Sequence, residues 1–111
     1  MIYLSNAFSL NMLPGGTVRL EVKEVDVERV KEMLSSGFRS VVGHASTASV
    51  LSALLGLDVE VRREQVKLQK NDVCIVFQLQ VRLEEGKILS EEELLKLPYR
   101  FYVVKIEEVE T

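Results

Sequence analysis

The chain has one cysteine and one histidine in 111 residues, and these two scarcities remove most familiar catalytic chemistry. A lone cysteine cannot close an internal disulfide, which fits a reducing compartment and makes the cytoplasm the expected location, that of a host cell if the gene is viral. One imidazole and one thiol cannot supply a zinc set of nitrogen and sulfur ligands, so no metal and no other cofactor is expected. Cys74 lies inside an apolar run, "VCIVF", and reads as core rather than as a nucleophile. The phosphate-binding loop pattern, the dinucleotide fingerprint and the nucleophile-elbow pattern are all missing.

Positive charge is also scarce. Lys and Arg number 14 against 17 Asp and Glu, a formal net charge of -3, so no broad field invites duplex DNA. A polyanionic partner would have to be held at a local site. The start "MIYLSNAFSL" has no basic leader, and no export is expected. The uncharged stretch from Ser40 to Leu57 approaches the length of a membrane span, but Ser, Thr, Gly and His fill eight of its eighteen positions, which argues against a bilayer helix.

What is present is the material of one globular domain, residues 1–111, with 47% hydrophobic and 28% charged residues. "MIYLSN" and "TVRLEVKEV" read as strands, with Pro14–Gly16 as the turn before the second. "DVERVKEMLSS" has helical spacing, with Val27, Val30 and Leu34 on one stripe and Asp26 as N-cap. In "GHASTASVLSALLG" a second helix is predicted, capped by Ser46 or Thr47 and ended by Gly56. Its apolar stripe is Thr47, Val50, Leu51, Leu54 and Leu55. The opposite face, Ser46, Ser49, Ser52 and Ala53, is small and uncharged, which suits close approach by a sheet, a second subunit or a ligand, so burial on most sides is expected.

"QVKLQ", a turn at Lys70–Asp72 and "VCIVFQLQVRL" read as a hairpin. On the long second strand Val73, Ile75, Phe77, Leu79, Val81 and Leu83 face one way. Cys74, Val76, Gln78, Gln80 and Arg82 face the other, turning from apolar to polar along the strand. This is the pattern of a solvated outer face or of a strand that runs from a core towards a site. "SEEELLKL" is a short helix with Ser90 and Glu93 in capping-box spacing, and "YRFYVVKIEEV" is a last strand. The expected fold is α+β, a single domain with a mixed, roughly five-stranded sheet and flanking helices, forming a homodimer.

His44 stands just before the second predicted helix, where free backbone N–H groups and the positive dipole end make an anion site. Gly43, Ser46 and Thr47 are the neighbouring candidates for backbone or hydroxyl contact to a bound anion, and Gly43 permits close backbone approach. A single histidine is compatible with cleavage of RNA, which carries its own 2′-OH nucleophile and needs in-line geometry and a proton for the leaving oxygen. On the residues alone, a structural histidine is the plainer reading.

Three segments together shift the balance: "YLSNAFSLNML" (3–13), "VGHASTASVLSALLG" (42–56) and "RLEEGKILSEEELLKL" (82–97). In order and spacing they resemble the small viral ring nucleases of archaeal viruses, phages and some host CRISPR loci. The resemblance implies a metal-independent anti-CRISPR enzyme that degrades cyclic tetra-adenylate, the second messenger of type III defence. It also implies that His44 is the catalytic acid, that Arg82 holds phosphate, and that Glu85 and Ser9 complete the catalytic group. Asn6, Asn11 and Gln78 become substrate-binding positions. Family members often carry an acidic or amide residue after the histidine and Gln before the arginine, where this chain has Ala45 and Val81. Two other classes remain: a cyclic-oligonucleotide sponge or sensor that does not cut, and a structural or DNA-associated viral protein.

Overall fold

The computed structural model describes residues 1–80, 90, 92–93 and 96–110. In chain order the elements are β1 (Ile2–Ser5), a 3-10 turn (Leu10–Met12), β2 (Thr17–Val25), α1 (Val27–Leu34), β3 (Arg39–Ser40), α2 (Ala45–Leu55), β4 (Val73–Leu79) and β5 (Tyr99–Glu110). β4 governs the arrangement because it is apolar on both sides. Ile75 and Phe77 turn to one face, Cys74 and Val76 to the other, and all four are buried. A strand buried on both faces belongs inside a sheet. The observed order is β2-β5-β4-β1-β3, with β1 parallel to both β3 and β4 and β5 antiparallel to both β2 and β4. The α+β architecture with a five-stranded mixed sheet is therefore as expected.

Both helices pack on one face of this sheet. Val30 and Leu34 of α1 and Ala48, Val50, Leu51 and Leu55 of α2 join Leu4, Ile75, Phe77 and Phe101 in the larger core. The other face is smaller: Cys74, Val76, Val104 and Ile106 are covered by Leu68 and by partly buried Phe8, Met12 and Leu13 from irregular segments. Asp26 caps α1 as predicted, its carboxylate accepting from the Arg29 N–H at 2.8 Å. Gly56 ends α2 in the left-handed region, at φ 65°. Ser90 and Glu93 exchange the two capping-box hydrogen bonds, at 3.2 and 3.3 Å.

Three expectations need correction. "QVKLQ" is not a strand, because both edges of β4 are already taken by β1 and β5. Its alternation is real, with Leu68 buried and Val66 partly so, but the Leu68 N–H bonds the Met12 carbonyl at 2.8 Å instead of a ladder. The fifth strand is the two-residue β3, which pairs Tyr3 with Arg39 and Leu4 with Ser40. The cap of α2 is His44, not Ser46 or Thr47, which sit within the first helical turn. Third, the small-residue face of α2 is not covered by the chain's own core: Ser46, Ser49 and Ala53 are exposed. Ser52 is half-buried and used locally, donating to the Ala48 carbonyl and accepting from the Val59 N–H.

Two measurements check this packing. Burial pushes the Cys74 thiol up to about 12, so the folded protein should leave it unlabelled by a thiol reagent at pH 8, with full labelling in denaturant. Gly56→Ala meets no atom within 4 Å, so its cost is that of forcing a Cβ into the left-handed region. Urea unfolding should show a loss of about 1 kcal/mol.

Candidate functional site

β3, β1 and β4 run parallel, so their carboxyl ends lie at one end of the sheet, where ligands of sheets with parallel strands commonly bind. Past that end β1 continues into a loop through Asn6, Ser9 and Asn11, while β3 continues through Val41, Val42 and Gly43 into the start of α2. A cleft of about 790 Å³ opens between these two continuations. Asn6, Ser9, Asn11, Gly43 and His44 all line it, so five of the sequence-predicted site residues meet at one place.

The two walls are joined. The Gly43 N–H donates to Asn6 Oδ1 at 3.2 Å, fixing the loop after β1 against the mouth of α2. Ser5, which is buried, donates its hydroxyl to the Ala7 carbonyl at 2.7 Å and accepts the Ala7 N–H at 3.2 Å, which turns the chain at the end of β1. Ser9 precedes the 3-10 turn, its carbonyl accepting from the Met12 N–H at 3.0 Å, and is exposed. His44 is exposed, extended at φ -124° and ψ 128°, and its side chain makes no cap hydrogen bond. Its carbonyl receives the first helical bond, from the Ala48 N–H at 3.0 Å, so the N–H groups of Ala45, Ser46 and Thr47 have no intrahelical acceptor.

The third wall went unread in the sequence. Arg63, Glu64, Gln65, Val66 and Lys67 line the cleft from the irregular segment that follows α2. Arg63 Nε donates to the Gly43 carbonyl at 2.8 Å, and Lys67 Nζ donates to the Asn11 carbonyl at 2.8 Å. Arg63 and Lys67 thus pin themselves to opposite sides of the cleft. A guanidinium has five N–H donors and an ammonium three, so each keeps donors for a ligand. Glu64 is paired outside the cleft with Arg39. The available signal was a loop too long to be mere connection, carrying Arg62, Arg63 and Lys67 in an acidic chain.

The remaining predicted residues stand elsewhere. Gln78 is exposed on β4 opposite Arg100 and does not line the cleft, although it lies two residues past Val76, the partner of Ser5, and so at the same end of the sheet. Ser46 and Thr47 are not lining residues; what they offer is backbone N–H at the helix start. Gly43 is not sterically required by the protein itself, since an added Cβ would sit 3.6 Å from Arg63 Cγ, an ordinary contact. Arg82 and Glu85, with Val81, lie outside the described residues. Among the described residues no three His, Cys, Asp or Glu gather as metal ligands, and no helix is long and apolar enough to cross a membrane.

Known proteins are similar to this chain in sequence, and a solved structure is similar in fold. Uncharacterized protein 26 of Sulfolobus islandicus filamentous virus is 32% identical over 108 residues, covering 96% of this chain and 92% of its own. Uncharacterized protein ORF116 of Acidianus filamentous virus 1 is 33% identical over 96 residues, 86% of this chain and 83% of its own. The similarity also reaches a bacterium: YddF of Bacillus subtilis is 31% identical over 87 residues, 76% of this chain and 81% of its own. In three dimensions B116 of Sulfolobus turreted icosahedral virus superposes with a TM-score of 0.76 at 30% identity, over 94% of this chain and 97% of that one. The STIV B116-like family model spans residues 2–101, and with these relatives it establishes that the chain belongs to the STIV B116-like family.

Proposed function

We propose that this protein is a metal-independent ring nuclease that opens cyclic tetra-adenylate, and so switches off the CRISPR effectors that the messenger activates. The observation that carries the reading is the position of the only histidine: His44 forms the mouth of α2 and shares one cleft with Asn6, Ser9, Asn11 and two cations. Open helix N–H groups, Arg63 and Lys67 are donors suited to phosphate, and Asn6 and Asn11 are amides suited to the edges of bases or ribose hydroxyls. Together with the resemblance, which adds Arg82 and Glu85 to the same machinery, this is chemistry for a cyclic ribonucleotide.

The reaction needs little more. The 2′-oxygen of a bound ribose attacks the adjacent phosphorus, the bond to the 5′-oxygen breaks, and that oxygen leaves with a proton from His44. The proton of the 2′-OH passes to solvent or to a carboxylate. The product end is a 2′,3′-cyclic phosphate. Phosphate donors hold the ring in line and stabilise charge on the non-bridging oxygens as the pentavalent state forms.

The reading includes a homodimer whose two cleft surfaces face one ring. The exposed, uncharged face of α2 at Ser46, Ser49 and Ala53 is a surface that a second copy can approach closely. Two histidines related by a two-fold axis would reach opposite phosphodiesters, giving linear di-adenylate by way of singly cut tetra-adenylate. Light scattering at micromolar concentration should return twice 12.6 kDa; a monomer would remove the shared-pocket model.

His44→Ala tests the chemistry. It should bind the ring nearly as tightly as the parent while losing about 10²- to 10⁴-fold in cleavage rate, because proton donation matters only as the leaving oxygen gains charge. Chelator should leave the parent's rate unchanged, and a ring methylated at every 2′-oxygen should bind and remain intact. Tight binding without cleavage by the parent would instead make the protein a sponge or sensor. Cutting of the methylated ring at the normal rate would mean that water attacks and would sink the mechanism.

A further inference from the structure

Glu64 is the one carboxylate among the described residues that line the cleft, and a cleft meant for a polyanion is weakened by it. Its charge is met from outside. Arg39, at the start of β3, reaches Glu64 with a guanidinium fork: Nε to Oε1 at 3.0 Å and Nη2 to Oε2 at 3.0 Å. Neither Arg39 nor Arg62 lines the cleft. Arg62 Nη1 stands 3.7 Å from Glu64 Oε1, but this side chain is engaged chiefly by Glu60, to which Nη2 donates at 2.9 Å. We propose that Arg39 is a positioning residue that holds and neutralises Glu64 at the back of the cleft wall, leaving the positive charges of Arg63 and Lys67 unopposed towards a bound polyphosphate or phosphodiester.

A simple tether is the competing role, and the surroundings make it redundant. The segment is already fastened by the Arg62 N–H on the Val42 carbonyl at 2.8 Å, by Ser40 Oγ on the Glu60 carbonyl, and by the Leu68 N–H on the Met12 carbonyl at 2.8 Å. Arg63 and Lys67 fasten it twice more through Gly43 and Asn11. An ion pair whose partners are 44% and 36% exposed adds little stability on top of these. Its electrostatic effect is different, because a carboxylate a few ångströms from a phosphate opposes binding directly unless a cation is locked to it. The bidentate fork is what an arginine supplies and a lysine does not.

The proposal deepens the ring-nuclease reading and rests on it only for the identity of the ligand, so the test uses two probes. Binding of cyclic tetra-adenylate is measured in the His44→Ala chain, and binding of inorganic tripolyphosphate in the otherwise native chain, where the single histidine gives one unambiguous set of ring-proton NMR signals in the cleft. Arg39→Ala should weaken binding of both probes by about ten-fold at low salt and much less at about 1 M salt, where exposed charges are screened. Glu64→Gln alone should bind somewhat more tightly than its parent. The double variant Arg39→Ala/Glu64→Gln should return to within about two-fold of the parent, since it removes the repulsion along with its compensation. A double variant as weak as Arg39→Ala would make the pair a tether and overturn the proposal, as would Arg39→Ala binding normally. Failure of the parent to perturb the His44 signals with tripolyphosphate would also overturn it. If tripolyphosphate follows the expected order while cyclic tetra-adenylate binds none of the chains, the proposed function falls and the role of Arg39 stands.

Discussion

The parallel pairing of β1 along both of its edges is the constraint on which the cleft depends. β1 has only four residues, yet it holds Ile2 through Ser5 against Val73 through Val76 on one side and Tyr3 and Leu4 against Arg39 and Ser40 on the other. Leu4 is wholly buried under the helices and Tyr3 packs on the opposite face, so a slip of one residue would exchange them and empty the main core. That fixed register sets where the chain leaves the sheet at Ser5. It also sets where the β3 continuation begins, through the Val41 N–H bonded to the Leu4 carbonyl at 2.8 Å. The Asn6–Gly43 hydrogen bond is a consequence of this registration, and the cleft is the gap that remains.

The two helices show what distinguishes the site from the scaffold. α1 begins with an aspartate accepting a backbone N–H and carries Glu28 in its first turn, so its positive end is satisfied by the protein's own carboxylates. α2 begins with a histidine that accepts nothing through its side chain and has no acidic residue in its first turn. A helix start left in this state forgoes about 1 kcal/mol of capping stabilisation and keeps its N–H groups available to an incoming anion. In a chain whose net charge is -3, attraction for a polyanion has to be local. The open end of α2, with Arg63 and Lys67 beside it, is where the proposed function would place that attraction.

This division also explains what the sequence disclosed. Asp26 and Gly56 stood at helix ends because each is fixed by contacts a few residues away, and β2 matched the alternating run from Thr17 to Val25 although its partner, β5, is distant in sequence. Gly43 and His44 could be singled out as candidates because a helix start is a local feature, and both line the cleft. "QVKLQ" was misread because Val66 and Leu68 alternate into the smaller core just as strand residues would. Whether their backbone pairs with a strand was decided by the distant β1 and β5, which fill both edges of β4. β3 left no trace in two residues. Arg63 and Lys67 escaped notice because their meaning lies in the carbonyls of Gly43 and Asn11, twenty and fifty-six positions away.

The cationic wall is irregular, and what holds it in place is not a ladder. A strand at residues 63–67 would also put Arg63 and Lys67 on one face, but it would commit its backbone to a ladder, and both edges of the neighbouring β4 are taken. Here a segment without a ladder is pinned by Val59 in the main core and Leu68 in the smaller one, and between those anchors its charged side chains bond the backbone of both other walls. Arg63 and Lys67 therefore do two things at once: they close the hydrogen-bond needs of carbonyls that no strand or helix partner satisfies, and they hold positive charge in place before a ligand arrives. Long cationic side chains otherwise lose much of their binding energy to the entropy of being ordered. Fastening them to carbonyls in advance means that part of this cost is met on folding, which is how, on the proposed function, an acidic domain would hold a polyanion with few charges.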